Sequence, residues 1–129
     1  MHDLVKTQEN LLTVLEDHPV SELIEPLQKR ILLFDSFVAG TTHVPDQSVF
    51  HEMEPGDTLR MQREDNEKDK WAILLLDSKG RKAGYIPARD NLVFARLMDA
   101  GKLLEAEVKG LEHPARFWKI PISIYLIDF

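Results

Sequence analysis

The apolar residues of the first thirty positions repeat with a helical period. Four leucines fall on one stripe: Leu4, Leu11, Leu12 and Leu15. Pro19 ends this pattern. A second set has the same spacing, although Pro26 lacks an amide donor and divides it: Leu23, Ile24, Leu27 and Ile31. The pattern predicts an amphipathic helical arm whose stripe packs either on the rest of the chain or across a symmetric interface.

The hydrophobic period changes near Arg30 from helical to strand-like. The apolar run from Ile31 to Ala39 ends at Gly40, which is typical of a strand followed by a loop. Pro55-Gly56-Asp57 predicts a turn, and apolar and polar residues alternate after it from Thr58 to Arg63. We therefore divide the chain into a helical arm, residues 1–30, and a strand-rich domain, residues 31–129.

The second half of the chain predicts a hairpin, one helix and two closing strands. A wholly apolar run and the strand after the turn Asp77–Gly80 are expected to form the hairpin. Asp90 and Gly101 mark the two ends of the helix. In the two closing strands, apolar and polar residues alternate. The expected ranges are Trp71–Leu76, Arg81–Ile86, Asp90–Ala100, Leu103–Val108 and Trp118–Ile127. About six strands with one packed helix are too few for a doubly wound α/β domain, so the pattern favours a mainly β fold, a small closed or partly open barrel.

Composition favours a location inside the cell. The 129 residues include 43% hydrophobic residues, enough for the core of one domain, and no cysteine for disulfides or zinc. The N-terminal residues are too polar for a signal peptide, and no apolar run approaches the roughly 18 residues that span a bilayer. We expect a soluble, cytoplasmic protein without a membrane partner.

The charge of the chain limits how it can meet nucleic acid. A net charge of −6 argues against a protein that coats nucleic acid through phosphate contacts. The segment from Lys79 to Arg96 nevertheless holds five basic residues against one acid. This segment is either a local basic patch or a solvated hairpin followed by an ordinary helix face.

Motifs for the commonest catalytic chemistries are missing from the sequence. There is no glycine-rich phosphate loop, no Gly-x-Ser-x-Gly turn and no cysteine nucleophile. The segment His51–Glu54 lacks the second histidine of a metalloprotease helix, and the five histidines have no ligand spacing. We expect a non-catalytic protein with neither a metal site nor a cofactor.

Several segments, in order and spacing, resemble the HIRAN domain. They extend over roughly Phe34 to Ile127, and the block from Gly84 to Gly101 is the most diagnostic. The matching segments are Phe37–Val44, Pro55–Leu59, Arg63-Glu64 with Asn66 and Asp69, Ala72-Ile73, Gly84–Pro87, Arg89–Asn91 and Ala95–Gly101.

The resemblance implies a small OB-like barrel, found alone in bacteria or attached to helicases and other DNA-processing enzymes, that binds single-stranded nucleic acid at its 3′ end. It makes Asp69 the acceptor for the terminal 3′-hydroxyl, places His43 and Trp118 at stacking positions, and puts Asn66 in the rim loop. The remaining candidate contacts are Arg63, Lys70, Tyr85, Arg89 and Asn91.

Two segments differ from the family pattern. Many members have Asn-Pro-Tyr-Asp where this chain has Asn66-Glu67-Lys68-Asp69, and Thr42-His43 replaces an Arg-Tyr pair. Core packing also explains Tyr85, and entry into the helix also explains Arg89 and Asn91. The sequence thus supports a nucleic-acid-binding module or, as the alternative, a protein-interaction domain that dimerises through the arm.

Overall fold

A computed structural model describes residues 29–128 of the chain. The predicted helical arm lies outside these residues, apart from its last two positions, which begin the first strand. Six strands are observed: β1 (Lys29–Phe37), β2 (Thr58–Arg63), β3 (Ile73–Leu76), β4 (Lys82–Tyr85), β5 (Leu103–Val108) and β6 (Pro121–Asp128). The helices are α1 (Ser48–Glu52), α2 (Asn91–Asp99) and a 3-10 turn at Thr41–His43.

The strands form one sheet in the order β1-β6-β5-β2-β3-β4. The pairs β2–β3, β2–β5, β3–β4 and β5–β6 are antiparallel, and the β3–β4 pair is the predicted hairpin. The two segments in which apolar and polar residues alternate form β2 and β5. Their buried side chains are Leu59, Met61, Leu104, Ala106 and Val108. The prediction of a mainly β fold with one long helix is confirmed for residues 29–128.

The two outer strands of the sheet approach each other after β1 ends. The Ala39 N–H donates to the Tyr85 carbonyl oxygen at 2.8 Å, and the Tyr85 N–H donates back at 2.9 Å. This is one bridge pair between the β1 segment and β4, and a continuous ladder around a closed barrel is not observed among residues 29–128.

The core lies between the sheet, α1 and the buried face of α2. Its largest fully buried side chains are Phe50, Leu59, Ile73, Leu75, Ile86, Ile120, Ile122, Ile124, Val49 and Val108. From α2, Phe94 and Ala95 enter this core, whereas Leu92 and Val93 stay exposed. The helix thereby brings its first residue, Asn91, beside the loop between β2 and β3.

Three local features differ from the sequence pattern or add to it. The last strand begins at Pro121 rather than Trp118, because Glu112 and Lys119 form a separate bridge and hold Trp118 in a loop. Helix α1 was not anticipated, since its five residues are too few to show a helical period. Asp90 precedes α2 but makes no side-chain cap, and its carboxylate accepts a hydrogen bond from Ser36 Oγ at 3.0 Å.

The basic segment Lys79–Arg96 is divided among different surfaces. Arg81 pairs with Asp77 at 2.8 Å and also with Glu52, and Lys79 lies 3.6 Å from Glu52. Only Arg89 and Arg96 from this segment lie on the α2 side, so the five cations do not form a single patch. No helix in the described part of the chain is long and apolar enough to cross a membrane.

Candidate functional site

Three of the predicted site residues, Asn66, Asp69 and Tyr85, line one concavity. This carboxylate pocket has a volume of about 220 Å³ and lies where the β1–α1 loop, the β2–β3 loop and β4 meet. Its lining residues are Ala39, Gly40, Asn66, Asp69, Ala72, Tyr85, Ile86 and Ala88. The pocket combines polar groups from one loop with an aromatic ring from a strand.

The Asp69 carboxylate is held in place by two donors. Its Oδ1 accepts the Trp71 N–H at 2.9 Å, and its Oδ2 accepts the Asn91 side-chain amide at 2.8 Å. Asn91 is buried. A carboxylate has about four lone-pair sites, so two donors leave capacity for a hydroxyl from a ligand. Asn91 thus acts behind the pocket wall, by orienting Asp69.

The Tyr85 hydroxyl donates to a carboxylate that sequence reasoning did not single out as a site residue. Its oxygen lies 2.9 Å and 2.8 Å from Glu64 Oε1 and Oε2. The Asn66 amide donates to Glu64 Oε2 at 3.3 Å, so Glu64 joins the loop to β4. Because Glu64 begins a run of charged residues, no periodicity distinguishes it from solvated neighbours.

Arg63 stabilises the loop that carries Asp69. Its guanidinium donates to the carbonyl oxygens of Ala72 at 2.7 Å and Lys70 at 2.9 Å, and its Nε donates to Asp99 at 3.0 Å. These bonds connect β2 to both ends of the loop's last turn and to the end of α2. Arg63 was predicted as a ligand contact, but its guanidinium forms hydrogen bonds within the protein. The Lys70 side chain, by contrast, is exposed.

A second concavity, the aromatic groove, shares Gly40 with the carboxylate pocket. It measures about 500 Å³, and its lining residues are Phe37, Val38, Gly40, Thr41, Thr42, Phe117, Trp118, Lys119 and Ile120. The Trp118 ring is stacked on Phe50 and on His113, at centroid distances of 5.8 Å and 4.5 Å, and meets the edge of His51. Phe37 and Phe117 are the exposed aromatic residues of this groove.

The HIRAN domain family model matches residues 31–124, which is most of the chain. The chain belongs to the HIRAN family. HIRAN domains are known as nucleic-acid-binding modules, and the family is one of binding domains. The carboxylate pocket and the aromatic groove both lie within the matched segment.

Two solved structures are similar to this HIRAN domain. A protein from Lactobacillus plantarum aligns with a TM-score of 0.72 and 25% identity, over 79% of this chain and 99% of that chain. The HIRAN domain of human HLTF aligns with a TM-score of 0.61 and 17% identity, over 77% of this chain and 79% of that chain. No curated protein sequence matches the chain significantly.

The remaining predicted residues of the HIRAN domain lie around these two concavities. His43 is exposed at the end of the 3-10 turn, beside the groove residue Thr42. Arg89 follows the pocket residue Ala88, and its side chain is 76% exposed. No group of three or more acidic or histidine residues suited to a metal ion occurs within residues 29–128.

Proposed function

We propose that this protein is a non-catalytic module for the 3′ end of single-stranded nucleic acid, on an OB-like barrel that closes at the Ala39–Tyr85 bridge. The observation that carries the proposal is the Asp69 carboxylate, which lies in a pocket wall with two fixed donors behind it. A preorganised carboxylate is an acceptor for a terminal hydroxyl, and the bond is charge-assisted.

The same carboxylate disfavours a terminal phosphate. An ionised carboxylate has no proton to donate, and its charge repels an anion at hydrogen-bonding distance. Glu64 lies behind Tyr85 and adds a second negative charge near the pocket. The β2–β3 loop holds four acidic residues, Glu64, Asp65, Glu67 and Asp69, and is unfavourable for binding phosphates. It is therefore suited to selecting a free hydroxyl over a phosphorylated end.

The aromatic groove is the proposed path for the bases that precede the end. Because it shares Gly40 with the carboxylate pocket, a strand can run from one concavity to the other. The exposed Phe117 ring and the face of Phe37 away from Lys119 are offered for stacking, and Lys119, 5.1 Å from the Phe37 ring centroid, supplies a cation. Trp118, already stacked on two rings, forms the wall of the groove.

Arg89, which follows the pocket residue Ala88 in sequence, is a proposed phosphate contact. Its side chain forms a 3.6 Å ion pair with Asp90 and is mostly exposed, so the guanidinium stays largely hydrated. Cations of this kind hold backbone phosphates without reading sequence.

A titration of labelled single strands against the whole protein tests the proposed function. The strands have either a free 3′-hydroxyl or a 3′-phosphate, and each is measured at two salt concentrations. We expect tighter binding of the free end at both, because only a free hydroxyl can donate a hydrogen bond to Asp69. Absence of binding to either strand at micromolar protein and low salt would exclude the proposal.

Assembly is a second candidate function, favoured by the exposed apolar residues of β1. Five large side chains of this strand are exposed: Ile31, Leu32, Leu33, Phe34 and Phe37. Exposed apolar side chains in this number on one strand are a feature of protein contacts, although Leu32 and Phe34 line different concavities. Sedimentation of the full chain and of a chain lacking residues 1–28 distinguishes a dimer formed through the arm from one that needs only the strand-rich domain.

A further inference from the structure

Three cations surround the ring of Trp71, which directly follows the pocket loop. The distances to a Trp71 ring centroid are 5.1 Å for Lys70 Nζ, 5.5 Å for Arg96 Cζ and 5.8 Å for Arg63 Cζ. We call these four residues the Trp71 face. The face brings together the end of β2, the β2–β3 loop and the last turn of α2.

The Trp71 face carries uncompensated positive charge. Arg63 is neutralised by Asp99, to which its Nε donates at 3.0 Å. Lys70 and Arg96 are exposed, and neither has a carboxylate within ion-pair distance in the part of the chain that the structure describes. Cations held on one ring repel each other, and a bound anion relieves that repulsion.

The chemistry of this face suits phosphates rather than bases. A base needs an open aromatic surface for stacking, and the Trp71 ring is already approached by three cations. Exposed lysine and arginine side chains bind the phosphodiester backbone without regard to sequence. The expected ligand is therefore a nucleic-acid backbone whose bases point elsewhere, as they do in a duplex.

The position of the face decides which strand it can bind. The carboxylate pocket meets the aromatic groove at Gly40, and it meets the Trp71 face at Asp69, whose Oδ1 accepts the Trp71 N–H. A strand that runs through the groove and ends with its hydroxyl on Asp69 has no further phosphate. The phosphates of that strand lie before its end, so a phosphate held by Arg96, on the α2 side of the face, is assigned to another strand.

We propose that the Trp71 face binds the phosphate backbone of a second strand, so that the preferred ligand is a 3′ end next to a duplex. This inference rests on the proposed end recognition. Arg96 is assigned to the second-strand contact because it approaches the Trp71 ring from α2 and lines neither the carboxylate pocket nor the aromatic groove, although it shares a neighbouring cavity with Arg89.

The test compares a single strand with a duplex that has a short 3′ tail of the same sequence. The wild-type protein is expected to bind the tailed duplex about tenfold more tightly in low salt. Arg96→Gln is expected to weaken duplex binding about fivefold and to reduce the salt slope by roughly one, while single-strand affinity stays within about twofold. Arg60→Gln is the matched control, because Arg60 is exposed on β2 and is not part of the face.

Other outcomes separate the two proposals. Equal effects of Arg96→Gln and Arg60→Gln, or equal loss of single-strand and duplex binding in Arg96→Gln, would overturn the second-strand contact alone. Binding of polyglutamate as tight as that of the tailed duplex would replace nucleic acid with an acidic protein as the ligand of this face. Failure of wild-type protein to distinguish a free from a 3′-phosphorylated tail would instead overturn the end recognition.

Discussion

The side-chain amide of Asn91 donates to Asp69 Oδ2 at 2.8 Å, so the first residue of α2 fixes a carboxylate in the loop between β2 and β3. The two residues are 22 positions apart in sequence, and only the fold brings them together. Asn91 is 3% exposed, which shields this bond from competing water. The orientation of the Asp69 carboxylate therefore depends on the packing of a helix that lies outside the pocket.

Replacement of Asn91 by alanine is expected to lower both stability and selectivity. The variant loses a buried hydrogen bond to a charged group, which costs about 1.5 to 3 kcal/mol of unfolding free energy. Urea unfolding measures that loss. Titration with strands that have a free or a phosphorylated 3′ end measures the preference for the free end, which is expected to be smaller than in the wild type. Gln62→Ala, which removes an exposed amide from β2, is expected to change stability by less than about 0.5 kcal/mol. Unchanged selectivity in Asn91→Ala would separate this residue from the site.

Gly84 is expected to tolerate no side chain, because it lies against the segment that bridges β1 to β4. A Cβ at this position would lie 2.4 Å from the Ala39 carbonyl oxygen and 2.5 Å from Val38 Cγ1, and φ is +147°. We expect Gly84→Ala to destabilise the protein by about 3 kcal/mol or more, from overpacking and backbone strain together.

Gly80→Ala is the matched control for Gly84→Ala. Gly80 has a φ of +79°, and a Cβ added there would meet no atom within 4 Å, so only backbone strain of about 1 to 2 kcal/mol is expected. Thermal and urea unfolding compare the two variants. Equal losses would contradict the expected clash between a Cβ at Gly84 and the Ala39 carbonyl oxygen.

Acid is expected to remove a contribution that Asp77 makes to stability. Burial raises the pKa of this carboxyl, but hydrogen bonds from the Arg81 and Lys79 N–H groups and from the Arg81 guanidinium outweigh burial and lower the pKa below 3.8. A carboxyl with a lower pKa in the folded state stabilises the fold at neutral pH, and this stabilisation is lost as pH falls below about 4.

Asp77→Asn tests this acid dependence. The variant is expected to be less stable than the wild type near neutral pH, and the difference is expected to shrink as pH falls below about 4. Unfolding measured across this range gives the result. Asp65→Asn, a variant of an exposed residue, is the control and is expected to change stability near neutral pH by less than about 0.5 kcal/mol. A difference between Asp77→Asn and wild type that stays constant with pH would contradict the assigned hydrogen bonds.

The spacing of apolar residues along the sequence correctly predicted the strands that have one buried face. In β2 and β5, apolar and polar residues alternate, and the structure buries the apolar set. Trp118 was placed at the start of the last strand because apolar residues alternate after it, but it lies in a loop, where its ring contacts Phe50, His51 and His113. Such contacts between distant residues leave no local pattern.

The candidate site was predictable only in part. Family resemblance pointed to Asp69 and Asn66, and the structure places both in the carboxylate pocket. The engagement of Arg63 with Lys70, Ala72 and Asp99 depends on where the chain folds back, which charge counts cannot show. Glu64 was not predicted as a site residue, since its hydrogen bond from Tyr85 joins the β2–β3 loop to a strand 21 positions away in sequence.

The most direct test of end recognition is the ratio of affinities for strands with a free 3′-hydroxyl and with a 3′-phosphate, measured for wild type, Asp69→Ala and Asp65→Ala. Asp65 lies in the same loop, is exposed and carries the same charge, so its removal controls for repulsion of phosphates. We expect Asp69→Ala to bind the free end at least about tenfold more weakly, since a charge-assisted bond contributes about 1.5 to 3 kcal/mol, and to lose the preference. Asp65→Ala is expected to keep it. An Asp69→Ala protein that is folded and still prefers the free end to the same degree as wild type would contradict the account.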